Sequence, residues 1–149
     1  MDLETLENIV GTKEREKVEF KEWKESIPVL GEEKFENRRC LLGYCVAIGN
    51  EGGGYLAIGV RDNGTFVGTT AQLPKNIKKL IFDKTGQKIE IGEIFEGEKM
   101  ILVITIPSRG MGRLLRFAGV PLMRVGDSKE QMTEAEELRI LQEGQEDFS

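Results

Sequence analysis

Histidine is absent from all 149 residues. With it go a histidine general base and any zinc site built from cysteine and histidine. Cysteine is scarce as well. Cys40 and Cys45 are the only two, and on one predicted helix their five-position spacing puts the Cα atoms ~8 Å apart, beyond the ~7 Å reach of a disulfide. No run comes near the ~18 apolar residues that a membrane helix requires. The opening residues, Met1 to Glu7, are acidic and amphipathic, unlike a secretory signal, so the cytoplasm is the expected compartment. A phosphate loop of the GxxxxGK type followed by Ser or Thr is also missing, which leaves ATP binding without support. Any metal would have to be held mostly by carboxylates, and that selects Mg²⁺, Mn²⁺ or Ca²⁺.

What is present suits one domain. A chain of 149 residues that is 39% hydrophobic has the size and core of a single globular unit. Its net charge of −5 is unevenly placed. Residues 1–36 carry 11 acids and 6 bases, residues 37–98 are nearly balanced, residues 99–126 hold five bases and no acid, and the tail from Asp127 holds 8 acids and 2 bases. A polyanion responds to the local basic stretch rather than to the total.

Along the chain, Asp2 caps a predicted short helix with Leu3, Leu6 and Ile9 or Val10 on one face, ended by Gly11. Lys17 to Glu22 alternates, so Val18 and Phe20 face inward and Glu19 and Lys21 share the opposite face. Glu32 to Ile48 carries a helical pattern, which Gly49 or Asn50 would stop in a left-handed conformation. Tyr55 to Val60 is a predicted strand, and Asp62-Asn63-Gly64 a tight turn. Leu73 to Phe82 is a predicted helix. Lys88 to Phe95 and Met100 to Pro107 are predicted strands, the second apolar throughout and so central. A hairpin is expected across Ala118-Gly119. Thr133 and Glu136 form a capping box for a last helix through about Gln142, with an acidic tail after it at about 143–149. The expectation is one α+β domain over 1–149, with a mixed, mostly antiparallel sheet flanked by helices.

Four segments in order then carry a family resemblance: EREKVEFK from Glu14 to Lys21, AIGNEGGGYLAIGV from Ala47 to Val60, Asp62-Asn63-Gly64 through Val67-Gly68, and MRVG from Met123 to Gly126. Together they resemble the Schlafen/AlbA-type DNA-binding domain of bacterial regulator-like proteins and of the Schlafen core. Ile48 and Gly49 stand where the family usually has Phe and Ala. The resemblance implies a nucleic-acid partner, DNA or RNA, and a homodimer, because the Schlafen core pairs two similar lobes. In Schlafen nucleases it also implies three acidic residues, whose positions here are Glu14, Glu19 and Asp62, with Mg²⁺ or Mn²⁺ between them. Many bacterial members continue into a winged-helix region, which these 149 residues do not include. Some carry ATPase-like labels that nothing in this sequence supports.

Three stretches are candidates for chemistry, each with a plain alternative. Gly52 to Gly54 would present backbone N–H groups to a phosphate, or would simply turn the chain from helix to strand. The second reading is preferred, since no helix begins after the loop to add its dipole. Glu14, Glu19, Lys21 and Asp62 would form a catalytic set, the carboxylates holding metal and the ammonium meeting developing charge. Otherwise they are solvated strand and turn residues. Arg109, Arg113, Arg116 and Arg124, with Lys78 and Lys79 on a helix, would contact phosphates, with Phe117 stacking on a base. Otherwise they are a solvated loop and helix face. The leading expectation is a nucleic-acid-binding domain. The alternatives are a metal-dependent ribonuclease and, more weakly, a protein-interaction or ATP-binding regulatory module.

Overall fold

In the computed structural model, which describes residues 1–12, 17–125 and 128–144, apolar residues alternate onto both faces of a four-stranded sheet. Strands β1 (Val18–Lys21), β2 (Gly54–Ile58), β3 (Glu90–Glu96) and β4 (Lys99–Ile106) lie in the order β1-β2-β4-β3. β1 runs parallel to β2, and the other two pairings are antiparallel. The class is α+β with a mixed, mostly antiparallel sheet, as the sequence led one to expect. β4 is central because both its faces are covered. Leu102, Ile104 and Ile106 enter one apolar cluster, while Ile101 and Val103 enter the other.

Helix α1 (Leu3–Thr12) is capped by Asp2, whose carboxylate accepts the Thr5 N–H at 2.8 Å. Its Leu6 packs with Val18, Phe20 and Ala57 on one face of the sheet. Helices α2 (Leu41–Asn50) and α3 (Ile77–Thr85) cover the other face, together with Leu122 of a hairpin formed by β5 (Leu122–Val125) and β6 (Ser128–Gln131). Helix α4 (Glu134–Leu141) starts where the capping box placed it, the Thr133 hydroxyl accepting the Glu136 N–H at 3.3 Å. Among the described residues no helix is long and apolar enough to cross a membrane.

Three expectations are corrected. The helix predicted from Glu32 begins only at Leu41, after two short 3-10 turns at Gly31–Glu33 and Phe35–Asn37. Glu32 and Glu33 have φ of 55° and 53°, left-handed values through which an α-helix of L-residues does not run. Cys40 is therefore not helical. It is the extended N-cap of α2, its Sγ accepting the Gly43 N–H at 3.4 Å. Gly49 and Asn50 lie inside α2, and the left-handed residues are Gly52 and Gly53. At Gly53 a Cβ would come within 2.8 Å of the Ser108 nitrogen, so glycine is required there by space as well as by φ. Finally, Phe117 and Val120 do bridge across Ala118-Gly119, but from Leu122 onward the chain pairs with β6 instead.

Candidate nucleic-acid interface and carboxylate centre

β1 lies at the sheet edge, with Glu19 opposite Leu56 and Lys21 opposite Ile58. Leu56 and Ile58 face α2, and neighbours in parallel register share a face, so Glu19 and Lys21 also turn toward α2. There they meet Tyr44, buried in α2, with Lys21 Nζ 5.1 Å from the ring centroid. Burial raises the Tyr44 phenol pKa, and the charges of Glu19 and Asp62 raise it further. Arg124 of β5 arrives at the same place. Its Nη1 donates to Glu19 at 3.2 Å and its Nε to Glu51 at 2.7 Å. Burial alone would lower the guanidinium pKa, but Glu51 and Glu19 outweigh that and hold it above its ordinary value. Across the hairpin from Arg124 sits Lys129. It is 2% exposed, with Nζ 3.2 Å from the Tyr44 ring centroid. Burial, and then the charge of Lys21, push its ammonium down to about 7.

Glu19 and Asp62 are hard oxygen donors of the kind Mg²⁺ or Mn²⁺ takes. Glu14 lies outside the described residues. Among the described residues no three Asp, Glu, Cys or His side chains come together as an ion site. Glu19 is already approached by two cations, Arg124 at 3.2 Å and Lys21 at 3.9 Å. The described residues by themselves therefore do not fit a divalent ion.

The second region is the loop over residues 107–116, between β4 and the Ala118-Gly119 turn. Asn50, 4% exposed at the end of α2, holds it in place. The Asn50 Nδ2 donates to the carbonyls of Leu115 at 3.0 Å and Leu122 at 2.9 Å, and its Oδ1 accepts the Leu115 N–H at 3.0 Å. Its own carbonyl accepts Arg109 Nε at 3.2 Å. On this frame the arginines differ. Arg109 is sheltered and donates twice to Glu143, at 2.8 and 2.6 Å. Arg116 is exposed and lies 3.8 Å from Glu137. Arg113 is exposed, its guanidinium beside Gly86.

The structure brings together Glu19, Lys21 and Arg124, with Asp62 acting on the same tyrosine. Arg124 thus belongs to the carboxylate centre, apart from the three loop arginines. Lys78 and Lys79 stand on α3, exposed and paired with Glu90 at 3.0 Å and Asp83 at 2.6 Å. Phe117 is 1% exposed, so the base-stacking role expected of it is overturned: it packs in the core. The N–H groups of Gly52 and Gly53 donate to Gly49 and Ile48 at the end of α2, in keeping with a turn. Tyr44, Lys129, Asn50, Glu51 and Glu143 were not anticipated. Asn50 and Glu51 carried a signal, their place inside the glycine-rich segment. Tyr44, Lys129 and Glu143 carried none, since they contribute only through contacts distant in sequence.

Three comparisons bear on this arrangement. A family model described as "Schlafen, AlbA_2" matches residues 14–133. Among solved structures, the chain is similar to the DIP2311 protein from Corynebacterium diphtheriae, with 20% identity and a TM-score of 0.68, the match covering 94% of this chain and 32% of that one. The chain thus spans about a third of its solved relative's length, and at that identity the likeness shows the fold alone. No curated protein matches.

Proposed function

The chain belongs to the Schlafen, AlbA_2 family, and from that premise we propose that it binds nucleic acid through phosphate contacts made by the loop over residues 107–116. One observation carries the reading. A stretch without a single acid, residues 99–126, is held by Asn50 so that Arg113 and Arg116 stand exposed on a fixed frame. Guanidinium groups held this way meet phosphates at little entropic cost and take no account of base identity. Binding is therefore to backbone, with weak sequence preference and a steep dependence on salt. A second copy of the chain would lengthen the same surface.

The test is the double variant Arg113→Ala/Arg116→Ala, titrated with duplex DNA and with RNA over a salt series. Affinity for both should fall roughly tenfold, and the log–log salt slope should flatten by about two, one counterion for each lost contact. An unchanged slope removes the loop from the interface.

A second reading, a metal-dependent ribonuclease, is favoured by a different observation: Glu19 and Asp62 both act on Tyr44, with Lys21 beside them. It requires Glu14 to complete the carboxylate set. Cleavage of RNA that depends on Mn²⁺ and is lost in both Glu19→Gln and Asp62→Asn would establish it, and no turnover in millimolar Mn²⁺ would leave the binding reading alone.

A further inference from the structure

On the reading that the loop meets phosphates, its best-formed anion seat is already filled from within the chain. Arg109 presents two N–H groups side by side, and Glu143, just past α4, accepts both at 2.8 and 2.6 Å. The Gly112 N–H donates to the same carboxylate at 3.5 Å. A guanidinium fork with a backbone amide beside it is the donor set that suits a phosphate's oxygens. The hydrogen bond from Arg109 is the main reason that Glu143 is held down to about 2.

Beside this seat lies a cavity of about 250 Å³ between the end of α3 and the loop. Its charged lining residues are Lys88, Arg109 and Arg113, all positive. Neither Lys88 nor Arg113 forms an ion pair among the described residues. Three cations around one small cavity repel each other until an anion sits between them. Glu143 accepts hydrogen bonds from Arg109 and forms an ion pair with Arg139 at 3.6 Å, but it forms none with Lys88 or Arg113.

We propose that this cavity is a phosphate subsite of the nucleic-acid interface, and that Glu143 is its intramolecular competitor, occupying Arg109 until a backbone phosphate displaces it. The exchange at Arg109 is one anion for another and is close to balanced. The gain comes from Lys88 and Arg113, which have no counter-charge among the described residues.

The experiment uses the full chain, a short single-stranded RNA and a duplex DNA, read by fluorescence anisotropy over a NaCl series. Glu143→Gln should bind about threefold to tenfold tighter at low salt, with a slope steeper by about one, since in the wild type the carboxylate freed from Arg109 takes a cation back up and the amide does not. Lys88→Ala on that background should remove most of the gain. Should Glu143→Gln fail to fold, the wild-type chain is read directly: saturating oligonucleotide should shift the Glu143 carboxyl carbon resonance and raise its titration from about 2 toward the ordinary carboxylate range. Oligonucleotide binding that moves neither the resonance nor, in a folded Glu143→Gln, the affinity overturns the proposal and leaves the loop reading standing. If neither protein binds, both fall. Inorganic phosphate separates the two sources of the group, and displacement of Glu143 by free phosphate at lower concentrations than by oligonucleotide overturns the assignment to nucleic acid.

Discussion

Arg124 and Arg109 are almost equally sheltered, with side chains 13% and 10% exposed, and each is gripped by carboxylate. Their partners differ. Arg124 lies between Glu19 of β1 and Glu51 at the end of α2, both fixed by the framework of sheet and helix. Arg109 is held by Glu143, which follows a helix whose one buried residue is Ile140. The hydrogen bonds are of similar length, so the difference is in what else must move for them to break. Releasing Arg124 requires opening the sheet edge or the hairpin. Releasing Arg109 requires lifting one turn. The same pair of chemical groups is a strut in one place and a latch in the other.

The largest effect that tests this contrast is Arg124→Ala. It leaves Glu19 and Glu51 partly buried without their shared cation, and should lower stability by about 3 kcal/mol, read as a shift of the denaturation midpoint. A midpoint that stays put would erase the distinction between the two arginines.

Lys129, directly across the hairpin from Arg124, sharpens the strut side. In the unfolded chain its ammonium keeps its proton up to 10.5, and in the folded chain it releases it near 7. Between those values the unfolded state binds more protons, so stability should climb as pH rises from about 7 toward 10.5, with the full penalty in force below 7. Lys129→Met should flatten that climb and exceed the wild type in stability at pH 7. The groups facing the ammonium, Tyr44, Lys21, Glu19, Arg39 and Cys40, are unchanged in that variant. A climb of the same height in both proteins would place the titration elsewhere.

The smallest effect belongs to the latch. Arg109→Ala should cost much less than Arg124→Ala, because Glu143 is free to turn to solvent. Glu143 has its carboxyl depressed from 4.5 to about 2, so the pair's contribution is complete above about pH 4.5 and fades as pH falls through 2. The gap between wild type and Arg109→Ala should close with it. A gap that persists in acid would mean that Arg109 stabilises through Asn50 instead of through Glu143.

Much of the framework could be read from the sequence because its signals are local. Val18 and Phe20 against Glu19 and Lys21 is a period of two, and it placed the acid and the base on one face. The unbroken run of β4 announced a strand covered on both sides, and Thr133 with Glu136 fixed the start of α4. What was missed depends on contacts far apart in the chain. Glu32 and Glu33 suit a helix by propensity, and only the path of the surrounding chain holds them at positive φ. Lys129 sits in an acidic stretch and would ordinarily be a solvated lysine. It is buried because its hairpin lies against α2. Glu143 falls in the acidic tail that follows the last predicted helix, whereas its partner Arg109 is 34 positions away. Counting charge along the basic stretch gave the right sign for the loop but not which of its arginines were already engaged.

Asn50 has a further consequence, in the order of events rather than in energies. Its side chain joins residues 65 and 72 positions away, contacts that close only after helix, strands and hairpin have met, since long loops are entropically costly to close early. The Leu115 amide it accepts is buried, so that proton exchanges with solvent only when this stitch opens, and the same opening frees the base of the arginine loop. The exchange rate of one backbone proton is therefore a clock for how often the basic surface loses its shape.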